Sequence, residues 1–117
     1  MAGRSVLVSL VVAAALAVPA VAAARPFQGA VGPGATISLK RANGSALKHA
    51  SPGEHRFAIS DQSSFHNFHL LGPGVNRRTT VAGRGTVTWN LTLGAGKFSF
   101  RSDPQARRLK GSFTVTA

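Results

Sequence analysis

Thr86-Val87-Thr88-Trp89-Asn90-Leu91-Thr92-Leu93 alternates without a break, and successive strand side chains point to opposite faces, so Val87, Trp89, Leu91 and Leu93 fall on one side. That is the period of a half-buried β-strand. On its C-terminal side Gly94-Ala95-Gly96 turns into Lys97-Phe98-Ser99-Phe100-Arg101, and Lys110-Gly111-Ser112-Phe113-Thr114-Val115 ends the pattern. On its N-terminal side the runs are Thr36 to Lys40, Ser45 to Lys48, His55 to Ser60 and His66 to Leu71. Turn residues separate them: Asn43-Gly44 suits a tight hairpin, Ser51-Pro52-Gly53 a turn, and Leu71-Gly72-Pro73-Gly74-Val75 a loop. No apolar period of 3.6 survives in this part of the chain. About seven strands at these spacings predict an all-β, two-sheet antiparallel sandwich.

Upstream, residues 25–34 (Arg25-Pro26-Phe27-Gln28-Gly29-Ala30-Val31-Gly32-Pro33-Gly34) are rich in Gly and Pro and read as a linker, which leaves 35–117 as the domain. Residues 1–24 read as a signal peptide. Arg4 supplies the positive start, Val6 to Val18 the apolar run, Pro19 the break, and Ala20-Val21-Ala22-Ala23-Ala24 the small residues that suit cleavage after Ala22 or Ala24. The apolar run falls short of the roughly 20 residues that span a bilayer. A secreted or periplasmic, extracytoplasmic protein with no membrane span in its mature chain is expected.

Composition narrows the chemistry. The 117 residues hold no cysteine and one methionine, Met1, so neither a disulfide nor a thiolate is available. Lys and Arg number 14 against three acids (Glu54, Asp61 and Asp103), a formal net charge of +11. Three carboxylates leave few ways to build the paired acids of a glycosidase or a calcium cage. Most enzyme classes are disfavoured.

An ordered set of motifs runs through the domain: Asp61-Gln62-Ser63-Ser64-Phe65-His66-Asn67-Phe68-His69-Leu70, Gly72-Pro73-Gly74-Val75, Thr86-Val87-Thr88-Trp89, Leu93 to Phe100, Ser102-Asp103-Pro104-Gln105 and Lys110-Gly111-Ser112-Phe113. From about Thr36 to Val115 this set resembles the cupredoxins, the plastocyanin-like blue copper proteins. The resemblance implies a Greek-key β-sandwich with a metal site at one end. It also implies where the ligands belong: the first imidazole at His66 of the His66-Asn67 pair, and the others in a Cys-Asp-Pro-His stretch followed by Met. Here those positions read Ser102, Gln105 and Leu109 at unchanged spacing. Blue copper needs two imidazoles, a thiolate and a weak axial thioether, and three of these four positions cannot supply them. His66, Ser102, Gln105 and Leu109 are therefore vestigial ligand positions, and no cofactor is expected unless the family function is retained, in which case it is copper.

The pleat supports His66 over His69, because His66, Phe68 and Leu70 share one face while His69 points oppositely, as a polar residue of the outer sheet face. His49 and His55 lie in or beside polar turns. Two ligand positions of one metal are close neighbours, so Ser102 and His66 are expected within reach of each other, with Gln105 helping to satisfy their polar groups. A Ser-His pair also raises weak hydrolysis, but Asp103 is expected on the other face and no Gly-x-Ser-x-Gly elbow exists.

Arg77 and Arg78 follow the Gly72-Pro73-Gly74 loop, while Arg101, Arg107, Arg108 and Lys110 surround the former ligand loop. In the fold that the resemblance implies, both segments lie near one end. Arg77, Arg78, Arg107, Arg108 and Lys110 are thus candidate anion-binding residues for an acidic protein or an anionic polymer, with solvated surface charge as the alternative. Most of the seven Phe and the single Trp alternate into the core, which disfavours specific nucleic-acid recognition. Asn43-Gly44-Ser45 and Asn90-Leu91-Thr92 fit the glycosylation acceptor rule, which matters only in a eukaryotic secretory pathway. The expected function is an exported, monomeric, non-enzymatic binding or structural module. Copper-based electron transfer is the first alternative, and weak hydrolysis through Ser102 and His66 the second.

Overall fold

The computed structural model describes residues 25–117, so the leader read in residues 1–24 lies outside the described residues. In chain order the strands are β1 (Phe27–Val31), β2 (Ile37–Lys40), β3 (His49–Ala50), β4 (Gly53–Asp61), β5 (His69–Gly72), β6 (Val75–Arg78), β7 (Gly85–Leu93), β8 (Gly96–Arg101) and β9 (Lys110–Val115). They form a four-stranded sheet, β2-β1-β4-β7, and a five-stranded sheet, β3-β9-β8-β5-β6. The expected all-β sandwich is present. It departs from a purely antiparallel one, because β1 runs parallel to β4 and β3 parallel to β9.

The largest correction concerns residues 25–34, which are not a linker. Phe27 to Val31 form β1 in the interior of the four-stranded sheet, paired with β2 on one side and β4 on the other. Phe27, Gly29 and Val31 face inward, and a Cβ at Gly29 would lie 2.6 Å from the Ile59 Cδ1 and 3.0 Å from the Phe68 ring. Glycine is there because larger neighbours fill its space, and that packing role reads in sequence as a break. The second extra strand is β6. Pro73 and the positive φ of Gly74 (70°) make a two-residue turn, so that Val75 to Arg78 pair back along β5. The expected run Ser45 to Lys48 supplies only a bridge from Lys40 to Ala46, with the two-residue β3 beyond it.

The core lies between the sheets. Phe57, Ile59, Phe68, Phe98 and Leu93 are fully or almost fully buried, and Phe68 stacks on Phe100 with ring centroids 5.5 Å apart. On β7, Trp89, Leu91 and Leu93 face this core, while Val87 lies at the rim and is partly exposed. The connections 62–68 (β4 to β5), 79–84 (β6 to β7) and 102–109 (β8 to β9) meet at one end, joined by the hydrogen bonds described next. Among the described residues no helix is long and apolar enough to cross a membrane.

Candidate functional site

Ser102 follows β8 and caps a single 3-10 turn, Asp103–Gln105, with Pro104 early in it, where a missing N–H costs nothing. The loop closes on itself: Ser102 N–H donates to the Leu109 carbonyl at 3.0 Å, and Leu109 N–H to the Gln105 carbonyl at 2.9 Å. The Ser102 side chain is 0% exposed. Its Oγ lies 3.1 Å from His66 Nδ1 and accepts the Asn67 N–H at 3.3 Å. With one lone pair so used, the hydroxyl proton suits Nδ1, and the ring hydrogen is then on Nε2. The expected Ser102–His66 contact is direct.

The other two vestigial positions part company. Leu109 is buried beneath the loop, whereas Gln105 is exposed, and the Ser102 hydroxyl bonds His66 and Asn67 instead. Gln105 therefore does not help to satisfy His66 and Ser102. Phe65, next to His66, is 77% exposed, an exception to the expectation that the aromatics turn inward.

A second network, unseen in the sequence, lies immediately behind this pair. Asn67 Oδ1 accepts the Asp103 N–H at 2.8 Å, and its Nδ2 donates to Asp103 Oδ2 at 2.9 Å and to the Thr79 carbonyl at 3.1 Å. One amide thus ties three loops together. His69, expected as a plain polar residue of the outer face, does lie on that face but is only 5% exposed. Its Nδ1 donates to the Asp103 carboxylate at 2.8 Å, and its Nε2 lies 2.6 Å from Asn76 Oδ1. Arg101 Nε donates to the same carboxylate at 3.0 Å. Burial raises the Asp103 pKa, but the hydrogen bonds from Asn67, His69 and Arg101, with the nearby His69 charge, outweigh it and lower the value from 3.8 to about 2. Asp61 anchors the adjoining loop by accepting the Thr79 hydroxyl at 2.9 Å and the Ser63 N–H at 3.1 Å. No buried side-chain nitrogen or oxygen among the described residues lacks a partner.

No protein-family model matches the chain, and no curated protein matches it in sequence. Solved structures do. Rusticyanin from Thiobacillus ferrooxidans aligns with a TM-score of 0.54 at 16% identity, over 77% of this chain and 75% of that one. A methionine-to-glutamine variant of rusticyanin aligns with a TM-score of 0.58 at 15% identity, over 77% and 76%. Rusticyanin is a copper protein. The fold is that of the cupredoxins.

Within a cupredoxin frame, the donors at this end do not fit a blue copper ion. A type 1 site needs a thiolate beside two imidazoles, and this chain has no cysteine. His66 Nδ1 faces a serine hydroxyl, Gln105 points to solvent, and Leu109 offers no donor atom. No group of three or more His, Cys, Asp or Glu capable of holding a metal occurs among the described residues. Ser102 is closed to solvent, and the nearby carboxylate of Asp103 is bonded to His69 rather than His66.

The basic candidates are distributed over the five-stranded sheet and its loop. Arg77 and Arg78 are exposed on β6, Arg107 and Arg108 on the loop, and Lys110 at the start of β9. The register aligns Arg78, His69, Arg101 and Lys110 in one row across four strands. Arg77 pairs with the core residue Leu70 and is therefore on the opposite side of β6 from Arg78. Arg101 enters the functional picture here as the partner of Asp103.

Proposed function

We propose that this chain is an exported cupredoxin-like domain in which a hydrogen-bonded lock stands where the family holds copper, and that it serves as a non-redox, non-enzymatic binding or structural module. The observation that carries this reading is Ser102: a fully buried hydroxyl bonded to His66 and to the Asn67 amide, in the place where the resemblance puts the thiolate. A serine hydroxyl does not ionise near neutral pH, and here its oxygen and His66 Nδ1 are engaged with each other. Export rests on the leader pattern of residues 1–24.

The test is copper loading of the purified mature protein, followed by metal analysis and a visible spectrum. The expected result is no intense thiolate-to-copper band, with at most weak absorption from Cu(II) on exposed imidazole. An intense blue band from the isolated chain overturns the reading in favour of electron transfer. Labelling of Ser102 by a serine-reactive phosphonate would instead favour the hydrolytic reading, and none is expected from a hydroxyl closed to solvent.

A further inference from the structure

The outer face of the five-stranded sheet carries a groove along β8 and β9 lined by Lys97, Ser99, Arg101, Ala106, Lys110 and Ser112. The ladder explains its composition. Lys97 lies opposite Thr114, Ser99 opposite Ser112, and Arg101 opposite Lys110, while Phe98, Phe100 and Phe113 between them turn into the core. One end of the groove therefore holds two cations, the middle two hydroxyls, and the far end a lysine. At about 3.3 Å per residue, Lys97 and Arg101 stand roughly 13 Å apart along the strand. Arg107 and Arg108 extend the positive path onto the loop, and Arg78 stands in the same row as Arg101 and Lys110.

Asp103, paired with Arg101, is the one acid that offsets this charge among the described residues. Of the other two acids among the described residues, Glu54 lies on β4 of the other sheet and Asp61 is buried among its loop bonds, while Asp103 is shared by Asn67, His69 and Arg101. Arg101 gives only its Nε to Asp103, so its terminal nitrogens stay open to the groove. Like charges directly opposite on a ladder destabilise a sheet, yet Arg101 and Lys110 are such a pair. The ion pair with Asp103 accounts for Arg101, but Lys110 and Lys97 have no acidic partner among the described residues, and a bound anion would supply one.

We propose that this groove binds a linear polyanion bearing tetrahedral oxyanions, sulfate or phosphate, with Arg101 and Lys110 clamping one group, the Ser99 and Ser112 hydroxyls donating to the chain between groups, and Lys97 holding another. Phe100 is the one aromatic residue that lines the groove, and its ring is buried and stacked on Phe68, so it offers bases no open face and single-stranded nucleic acid has no advantage over a non-aromatic polymer of equal charge. The proposal deepens the reading of the domain as a binding module, and it fails separately from it, because copper loading probes the loop end and not this face.

The experiment compares two double variants with the same change in net charge, Lys97→Glu with Lys110→Glu in the groove, and Lys40→Glu with Arg56→Glu on the exposed face of the other sheet. Affinity for heparin, inorganic polyphosphate and a single-stranded oligonucleotide is measured against salt by titration. The groove variant should lose about tenfold or more for heparin or polyphosphate, with the slope of log K against log salt reduced by about two, and the control should lose much less. Whichever of the two polymers binds more tightly identifies the oxyanion. Equal losses in the two variants would reduce the effect to net charge and overturn the proposal, as would absent binding at low salt or tightest binding to the oligonucleotide. Lys97→Gln with Lys110→Gln is the milder check on folding. It relieves the like-charge pair, so its melting temperature should equal or exceed that of the parent while its affinity falls.

Discussion

Asp103 is the residue on which the loop end depends, and its charge state gives the clearest pH signature. Its folded-state pKa, about 2, lies below its ordinary 3.8, so the ionised form is favoured by the fold. That contribution is complete above roughly pH 5 and disappears as the pH falls through 4 toward 2. At 1.36 kcal/mol per pH unit, it amounts to about 2 kcal/mol. Denaturant melts from pH 6 to pH 2 should therefore show the parent losing more stability than Asp103→Asn, which starts lower and has no carboxylate to titrate at this position. Parallel curves for the two proteins would mean that the His69 and Arg101 bonds carry no net energy. Ser102 acts on the same scale by a different route, since its neutral hydroxyl holds the buried Asn67 N–H at any pH in this range.

Among the elements, the loop from Ser102 to Leu109 tests whether ligand geometry outlived the ligands. Changing Ser102→Cys, Gln105→His and Leu109→Met puts the blue copper donors at the spacing that the resemblance implies. Ser102 Oγ already lies 3.1 Å from His66 Nδ1, close to the separation of two ligands around one metal. The Leu109→Met swap conserves volume and should cost less than about 1.5 kcal/mol. The exposed position 105 has room for an imidazole to turn inward. The triple variant is expected to bind copper and show the intense thiolate band. A folded variant that takes up copper without that band would mean the loop has drifted from trigonal geometry. The same loop shows where sequence reasoning ends. Its contact with His66 was legible because the resemblance makes both positions ligands of one metal, and β7 was legible because its alternation is unbroken. The Asn67–Asp103 and His69–Asp103 bonds join residues 36 and 34 positions apart, and no local pattern announces them. β1 was hidden because its core-facing Gly29 has the composition of a turn, and β6 because exposed arginines on an edge strand resemble a loop.

Over the whole molecule, charge is unevenly shared and largely unpaired. Fourteen Lys and Arg stand against three acids, with one Arg–Asp ion pair among the described residues, Arg101 to Asp103. Two opposing responses to salt follow. Screening weakens the Asp103 bonds slightly, since a partly buried hub is shielded by the protein around it. It also weakens the repulsion among exposed cations such as Lys97, Arg107, Arg108 and Lys110, and these interact through water, where salt acts fully. The second effect involves more charges and the more exposed ones, so it should win. Raising sodium chloride from 10 mM to 500 mM shortens the screening length from about 30 Å to a few ångströms. The melting temperature is expected to rise by several degrees, a shift that corresponds to about 1 kcal/mol in a domain of this size. The Lys97→Gln, Lys110→Gln variant should show a smaller rise, because part of the repulsion has already been removed. A melting temperature that falls with salt would make the Asp103 hub the dominant electrostatic term. The uncompensated sheet face would then be neutral to folding, and its like-charge ladder would lose its force as a sign of a bound anion.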